Sequence, residues 1–124
     1  MYEYKCVIIR VIDGDTVDVD IDLGFDVWLK DQRIRINSID APESRTSDPI
    51  EKIFGLAAKA KVEELLSPVM TLRTIISRDG SDAKGKFGRI LGDFILGNGK
   101  SVGEILVEEG YAAKYYGQSR ADIE

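Results

Sequence analysis

Residues 16–23, Thr16-Val17-Asp18-Val19-Asp20-Ile21-Asp22-Leu23, alternate strictly: Val17, Val19, Ile21 and Leu23 fall on one face and Asp18, Asp20 and Asp22 on the other. Successive side chains of a strand point to opposite sides, so this segment reads as a half-buried β-strand. On its N-terminal side, Asp13-Gly14-Asp15 is a tight turn, and Tyr4 to Ile12, rich in valine and isoleucine, is a strand leading into it. On its C-terminal side Gly24 starts another turn. Val27 to Ile39 follows as a third strand, with Ile34 and Ile36 facing one way and Arg33, Arg35 and Asn37 the other. The first 39 residues therefore form a three-strand meander.

Further along, the periodicity changes. Asp40 to Asp48 is a polar loop containing Pro42. Asp48-Pro49-Ile50-Glu51 opens a helix, with a capping Asp, Pro at the first position and Glu at the third. Ile53, Ala57, Ala60 and Glu64 share one face of it, with Leu56 and Leu65 beside them, and Ser67-Pro68 marks its end. Val69 to Ile76 reads as a fourth strand, Ser77 to Lys86 as a glycine-rich polar loop, and Phe87 to Leu96 as a fifth strand. After the Gly97-Asn98-Gly99 turn, Ser101-Val102-Gly103-Glu104 is a second capping box, opening a short helix that ends at Gly110. Tyr111 to Tyr116 fits a short edge strand, and residues 117–124 form a polar tail. The order βββ-α-ββ-α, without repeats or linkers, describes one α+β domain over residues 1–124. Its elements are those of a five-stranded Greek-key barrel, the OB-fold. That fold commonly binds oligonucleotides, but fold alone does not give function.

Composition narrows the chemistry by what is missing. None of the 124 residues is histidine, which removes Ser-His-Asp and Cys-His catalysis and His-ligated zinc. Acid–base work near neutral pH then falls to carboxylates, Lys, Tyr or water. The single cysteine, Cys6, lies in the apolar run Cys6-Val7-Ile8-Ile9 and is expected in the core, with no internal disulfide. No apolar run approaches the ~20 residues of a membrane span. Met1-Tyr2-Glu3-Tyr4-Lys5 lacks a basic stretch followed by an apolar one, which favours the cytoplasm, although a processed secreted chain looks the same. The net charge is −5, and the first 48 residues, with 11 acidic against 6 basic side chains, hold all of that excess. From Arg73 to Arg89 the balance reverses. Such a chain does not coat nucleic acid by bulk charge, but a local site where a cation meets carboxylates beside a basic rim remains open.

Two segments carry most of the chemistry: Val11-Ile12-Asp13-Gly14-Asp15-Thr16-Val17 and Arg35-Ile36-Asn37-Ser38-Ile39-Asp40-Ala41-Pro42-Glu43. Each puts carboxylates at the end of a strand, and carboxylate and carbonyl oxygens suit hard cations. An EF-hand started at Asp13 fails, because its fifth position is Val17 and its sixth Asp18. Taken alone, Asp13 and Asp15 also suit a plain β-turn with solvated carboxylates. Arg35 suits a solvated strand face, Arg89 a surface pair with Asp93, and Glu43 a loop cap.

Together with a third element, Lys86-Phe87-Gly88-Arg89, these segments resemble the staphylococcal (thermonuclease) nuclease family in motif, order and spacing, over about residues 5–116. The resemblance implies a Ca²⁺-dependent endonuclease that hydrolyses phosphodiester bonds in DNA and RNA. It implies Asp15, Asp40 and the carbonyl of Ala41 as metal ligands, with Asp13 in the outer shell. Glu43 would be the general base or water-positioning residue, and Arg35 and Arg89 would hold the scissile phosphate. Lys86 and Phe87 would contact substrate, as would Tyr115 and Tyr116 near a base pocket. Phe87 and Ala41 stand where the staphylococcal protein has tyrosine and threonine. The chemistry is coherent: in-line attack on a phosphodiester builds negative charge that a divalent cation and two guanidinium forks meet. A monomer favouring single strands is expected, because OB grooves bind splayed bases and a backbone. An acidic protein should bind DNA loosely and with modest salt sensitivity. Two rivals remain open: a non-catalytic nuclease-like module that binds nucleic acid or protein, and a domain in which calcium only stabilises the fold.

Overall fold

The computed structural model describes residues 2–75 and 89–114. In chain order its elements are β1 (Glu3–Asp13), β2 (Thr16–Asp22), β3 (Trp28–Ile36), β4 (Ile39–Asp40), α1 (Pro49–Leu65), β5 (Val69–Thr74), β6 (Ile90–Ile95), α2 (Val102–Glu108) and β7 (Ala113–Lys114). Five strands close a barrel in the order β1-β2-β3-β6-β5. All neighbours are antiparallel except β3 and β6, which pair in parallel with Ile34 opposite Ile90 and Arg35 opposite Leu91. This is the α+β, OB-like barrel expected from the element order.

The alternation of β2 does what period two requires. Val17, Val19 and Ile21 point into the barrel, where they meet Cys6, Ile34, Ile36, Leu72, Ile90 and Phe94, all buried. Leu23, grouped with them by pattern, is exposed, because the strand has ended and the chain enters a hairpin. The hairpin turn spans Gly24 to Val27, closed by the Val27 N–H donating to the Gly24 carbonyl at 2.9 Å.

The third strand is shorter than its apolar run. It stops at Ile36, and the chain turns through Asn37 and Ser38 so that β4 can pair with β7, Ile39 opposite Lys114 and Asp40 opposite Ala113. The strand expected to reach Ile76 ends at Thr74. The one expected from Phe87 begins at Ile90, with residues 87 and 88 outside the described set. The polar tail also lies outside it.

Both helix starts follow the capping rules. The Asp48 carboxylate accepts from the N–H groups of Ile50 and Glu51, and the Ser101 hydroxyl from that of Glu104. The inward face of α1 differs from the one expected. Gly55, Ala58 and Val62 are buried, whereas Ile53, Leu56, Ala57 and Ala60 are exposed. The cause is distance: α1 lies against backbone, and only the stripe of small residues lets it approach. A Cβ on Gly55 would fall 2.7 Å from the Ser44 nitrogen and nearer still to the Glu43 carbonyl. One on Gly14 would meet Ala58 at 2.8 Å and Ala41 at 3.0 Å. Helix, β1–β2 turn and Asp40–Ser44 loop are thereby drawn together at one end of the barrel.

Candidate active site

At that end the two acidic segments meet. Thr16 lies opposite Arg35 across β2 and β3, and the Asp15 carbonyl accepts from the Ile36 N–H at 2.8 Å. Asp15, only 8% exposed, accepts from the Thr16 hydroxyl at 2.9 Å and from the Ala41 N–H at 3.0 Å. One carboxylate therefore ties the turn to the loop that carries Asp40 and Ala41.

Arg35 sits between the carboxylates. Its side chain is 13% exposed, and its Nη2 lies 3.8 Å from both an Asp15 and an Asp40 oxygen. Its Nη1 donates to the carbonyls of Ile36 and Ile39, the latter at 2.7 Å, which orients the guanidinium. Two carboxylates face one guanidinium here, leaving a local excess of negative charge in hard oxygen donors. Among the described residues no three acidic, His or Cys side chains converge. A cation at this place would take the two carboxylates, a backbone carbonyl and water, a donor set that suits a hard ion.

Asp13 stands one step away and is held differently. One of its oxygens accepts from both the N–H (3.0 Å) and the hydroxyl of buried Ser44. Glu43 precedes Ser44, exposed, and its carboxylate has no hydrogen bond or ion pair among the described residues. Its N–H donates weakly to a Glu51 oxygen, at 3.5 Å. Arg89 precedes β6, and the parallel pairing sets it beside Arg33. Both line a cleft of about 290 Å³ with Ile12, Asp13, Thr16 and Arg45.

The structure thus gathers Asp15, Arg35, Asp40 and Ala41 into one cluster, with Asp13, Glu43 and Arg89 around it. Lys86, Phe87, Tyr115 and Tyr116 lie outside the described residues. Sequence reasoning missed Thr16, Ser44 and Gly55 as builders of the site. A glycine inside a helical pattern was a legible signal of close backbone approach. Nothing in the spacing singled out Ser44.

An OB-like barrel with acidic and guanidinium side chains gathered at one rim defines a nuclease-like domain. The chain belongs to the staphylococcal nuclease homologue family, whose model matches residues 33–124. It is 33% identical over 119 residues to Endonuclease YhcR of Bacillus subtilis (strain 168), covering 92% of this chain and 9% of that protein. It is 31% identical over 115 residues to an uncharacterized endonuclease of Escherichia coli, covering 93% of this chain and 63% of the relative. A similar protein of Escherichia coli O157:H7 is 30% identical over the same length. The chain therefore spans less than two thirds of each of these relatives.

Proposed function

We propose that this chain is a Ca²⁺-dependent endonuclease that hydrolyses phosphodiester bonds of DNA and RNA by attack of water, with single strands preferred. The observation that carries this reading is the convergence of Asp15, Arg35, Asp40 and Ala41 on one point, rimmed by a Glu43 carboxylate that has no partner among the described residues. The rival of a non-catalytic module loses ground because Asp15, Arg35, Asp40, Glu43 and Arg89 are all present.

Asp15, Asp40 and the Ala41 carbonyl would hold the cation. When bound, it supplies Lewis-acid charge at the phosphoryl oxygens. Glu43 takes a proton from the attacking water, a role that histidine fills elsewhere and that a sequence without histidine gives to another group. Arg35 and Arg89 donate to the nonbridging oxygens as charge grows on them, and Arg35 enters that role already oriented by two backbone carbonyls. Asp13, its rotamer fixed by Ser44, would hold water beside the bound cation.

The test is cleavage of heat-denatured DNA by wild type and Glu43→Gln in Ca²⁺, in Mg²⁺ and in chelator. Calcium-dependent cutting that falls about tenfold or more in the variant is expected. Equal cutting by both proteins would refute the role of Glu43. No cutting by a folded wild type would refute the activity.

A further inference from the structure

We propose that the cleft walled by Arg33 and Arg45 is a subsite for the phosphate neighbouring the scissile one, in an extended nucleic-acid strand. The inference rests on the nuclease reading above and extends its site outward along β3.

The first observation is the charge of the cleft. Its lining holds three guanidiniums, Arg33, Arg45 and Arg89, and one carboxylate, Asp13, whose inner oxygen is committed to Ser44. In a chain of net charge −5, such a concentration of arginine beside a catalytic cluster needs a reason. Asp18 accounts for Arg33, whereas Arg45 has no ion pair or hydrogen bond among the described residues. Paired N–H donors on planar forks match phosphate oxygens and carry no sequence preference.

The second observation is that Arg33 is held ready. Asp18, 2% exposed, takes Arg33 Nε at 2.8 Å and Nη2 at 3.1 Å, and takes Arg10 Nη1 at 2.7 Å. Register explains the row: Arg10 and Arg33 flank Asp18 from β1 and β3. One buried carboxylate between two arginines leaves those three groups at +1, and Asp31, 3.8 Å from Arg10, balances the outer arginine, so the row is neutral with Arg33 facing the cleft. Asp18 uses one edge of the Arg33 fork. The other edge is unclaimed among the described residues, on a side chain 47% exposed. A guanidinium fixed in this way loses little freedom when a ligand arrives.

The third observation is spacing. Arg33 and Arg35 share a strand face two residues apart, about 7 Å by strand rise. That step is comparable to the distance between successive phosphates in an extended strand. With one phosphate at Arg35, the next along the strand would fall toward Arg33 and the cleft it lines with Arg45 and Arg89.

The experiment uses fluorescence anisotropy of a labelled nine-residue oligothymidylate, in calcium, with Glu43→Gln protein as the parent. Adding Arg45→Ala or Arg33→Ala should weaken binding about tenfold and lower the salt slope by about 0.7. Both effects should vanish on an oligonucleotide whose flanking linkage is an uncharged methylphosphonate. Unchanged affinity in both variants, with the parent binding, would overturn the subsite and leave the nuclease reading intact. Equal weakening on the phosphate and methylphosphonate probes would also overturn it, since the arginines would then act through the fold. Arg45 is exposed, so its variant decides the matter even if Arg33→Ala unfolds by exposing Asp18. A parent that fails to bind, beside a wild type that fails to cut, would overturn both readings.

Discussion

Replacing Gly55 by alanine tests the contact that assembles the site. Inside a helix this change ordinarily stabilises by about 1 kcal/mol, because alanine has less backbone freedom to lose. Here the added Cβ would sit 2.7 Å from the Ser44 nitrogen, and the Glu43 carbonyl is closer, whereas ordinary contact begins near 3.4 Å. The obstructing atoms are backbone, so no side chain can swing aside. Overpacking of this kind costs about 1–3 kcal/mol, which exceeds the helical gain and leaves a net loss of about 1 kcal/mol. Relief requires the loop to retreat by about 1 Å, carrying Glu43 and the Ser44 that holds Asp13. A displacement of that size at reacting groups lowers turnover by about 10². The expected signature is a large fall in kcat/KM on denatured DNA with a small fall in urea stability of the same protein. Full activity with a gain of about 1 kcal/mol would refute the close approach. Lost stability with full activity would show that the helix, and not the loop, gives way.

Other predictions concern the hairpin and a buried acid. Phe25 (φ 56°) and Asp26 (φ 61°) occupy the two central positions of the Gly24–Val27 turn in left-handed backbone, and Phe25 is fully exposed. Such a turn favours Asn-Gly, so Phe25→Asn with Asp26→Gly should stabilise by about 1 kcal/mol in urea unfolding; no gain would refute the strain. Burial pushes the Asp93 carboxyl up to about 6, against the N–H groups of Phe94 and Gly103 and the Ser101 hydroxyl, which favour its charge. The folded state thus holds this proton more tightly than the unfolded chain. Its contribution to stability is full below the unfolded value of 3.8 and is lost as pH rises towards 6. Asp93→Asn removes that loss, so the melting temperature of the variant relative to wild type should climb between about pH 4 and pH 6 and then level off. A flat difference would exclude burial as the cause.

Local chemistry sufficed for much of this molecule. The alternation in Thr16–Asp22, the Asp48 and Ser101 caps and the glycine turns each act within a few residues, so element type and order, and through them the barrel, were legible. The acidic segments were visible as carboxylates at strand ends, but taken alone they suited plain turns, and their roles followed from the resemblance of three segments in register. Ends of strands were less so: β3 stops at Ile36 because β7, more than 70 residues later, captures β4. The inward face of α1 escaped reading for a related reason. Apolar residues lie around much of that helix, and selection among them depends on which backbone it must approach. Gly55 and Ala58 face inward because Glu43, Ser44 and Gly14 arrive there through tertiary contact. The row Arg10–Asp18–Arg33 and the cleft it borders exist only because β1, β2 and β3 lie in that register. Propensity and patterning act along the chain, whereas the distances that make a site are fixed by what the closed barrel brings side by side.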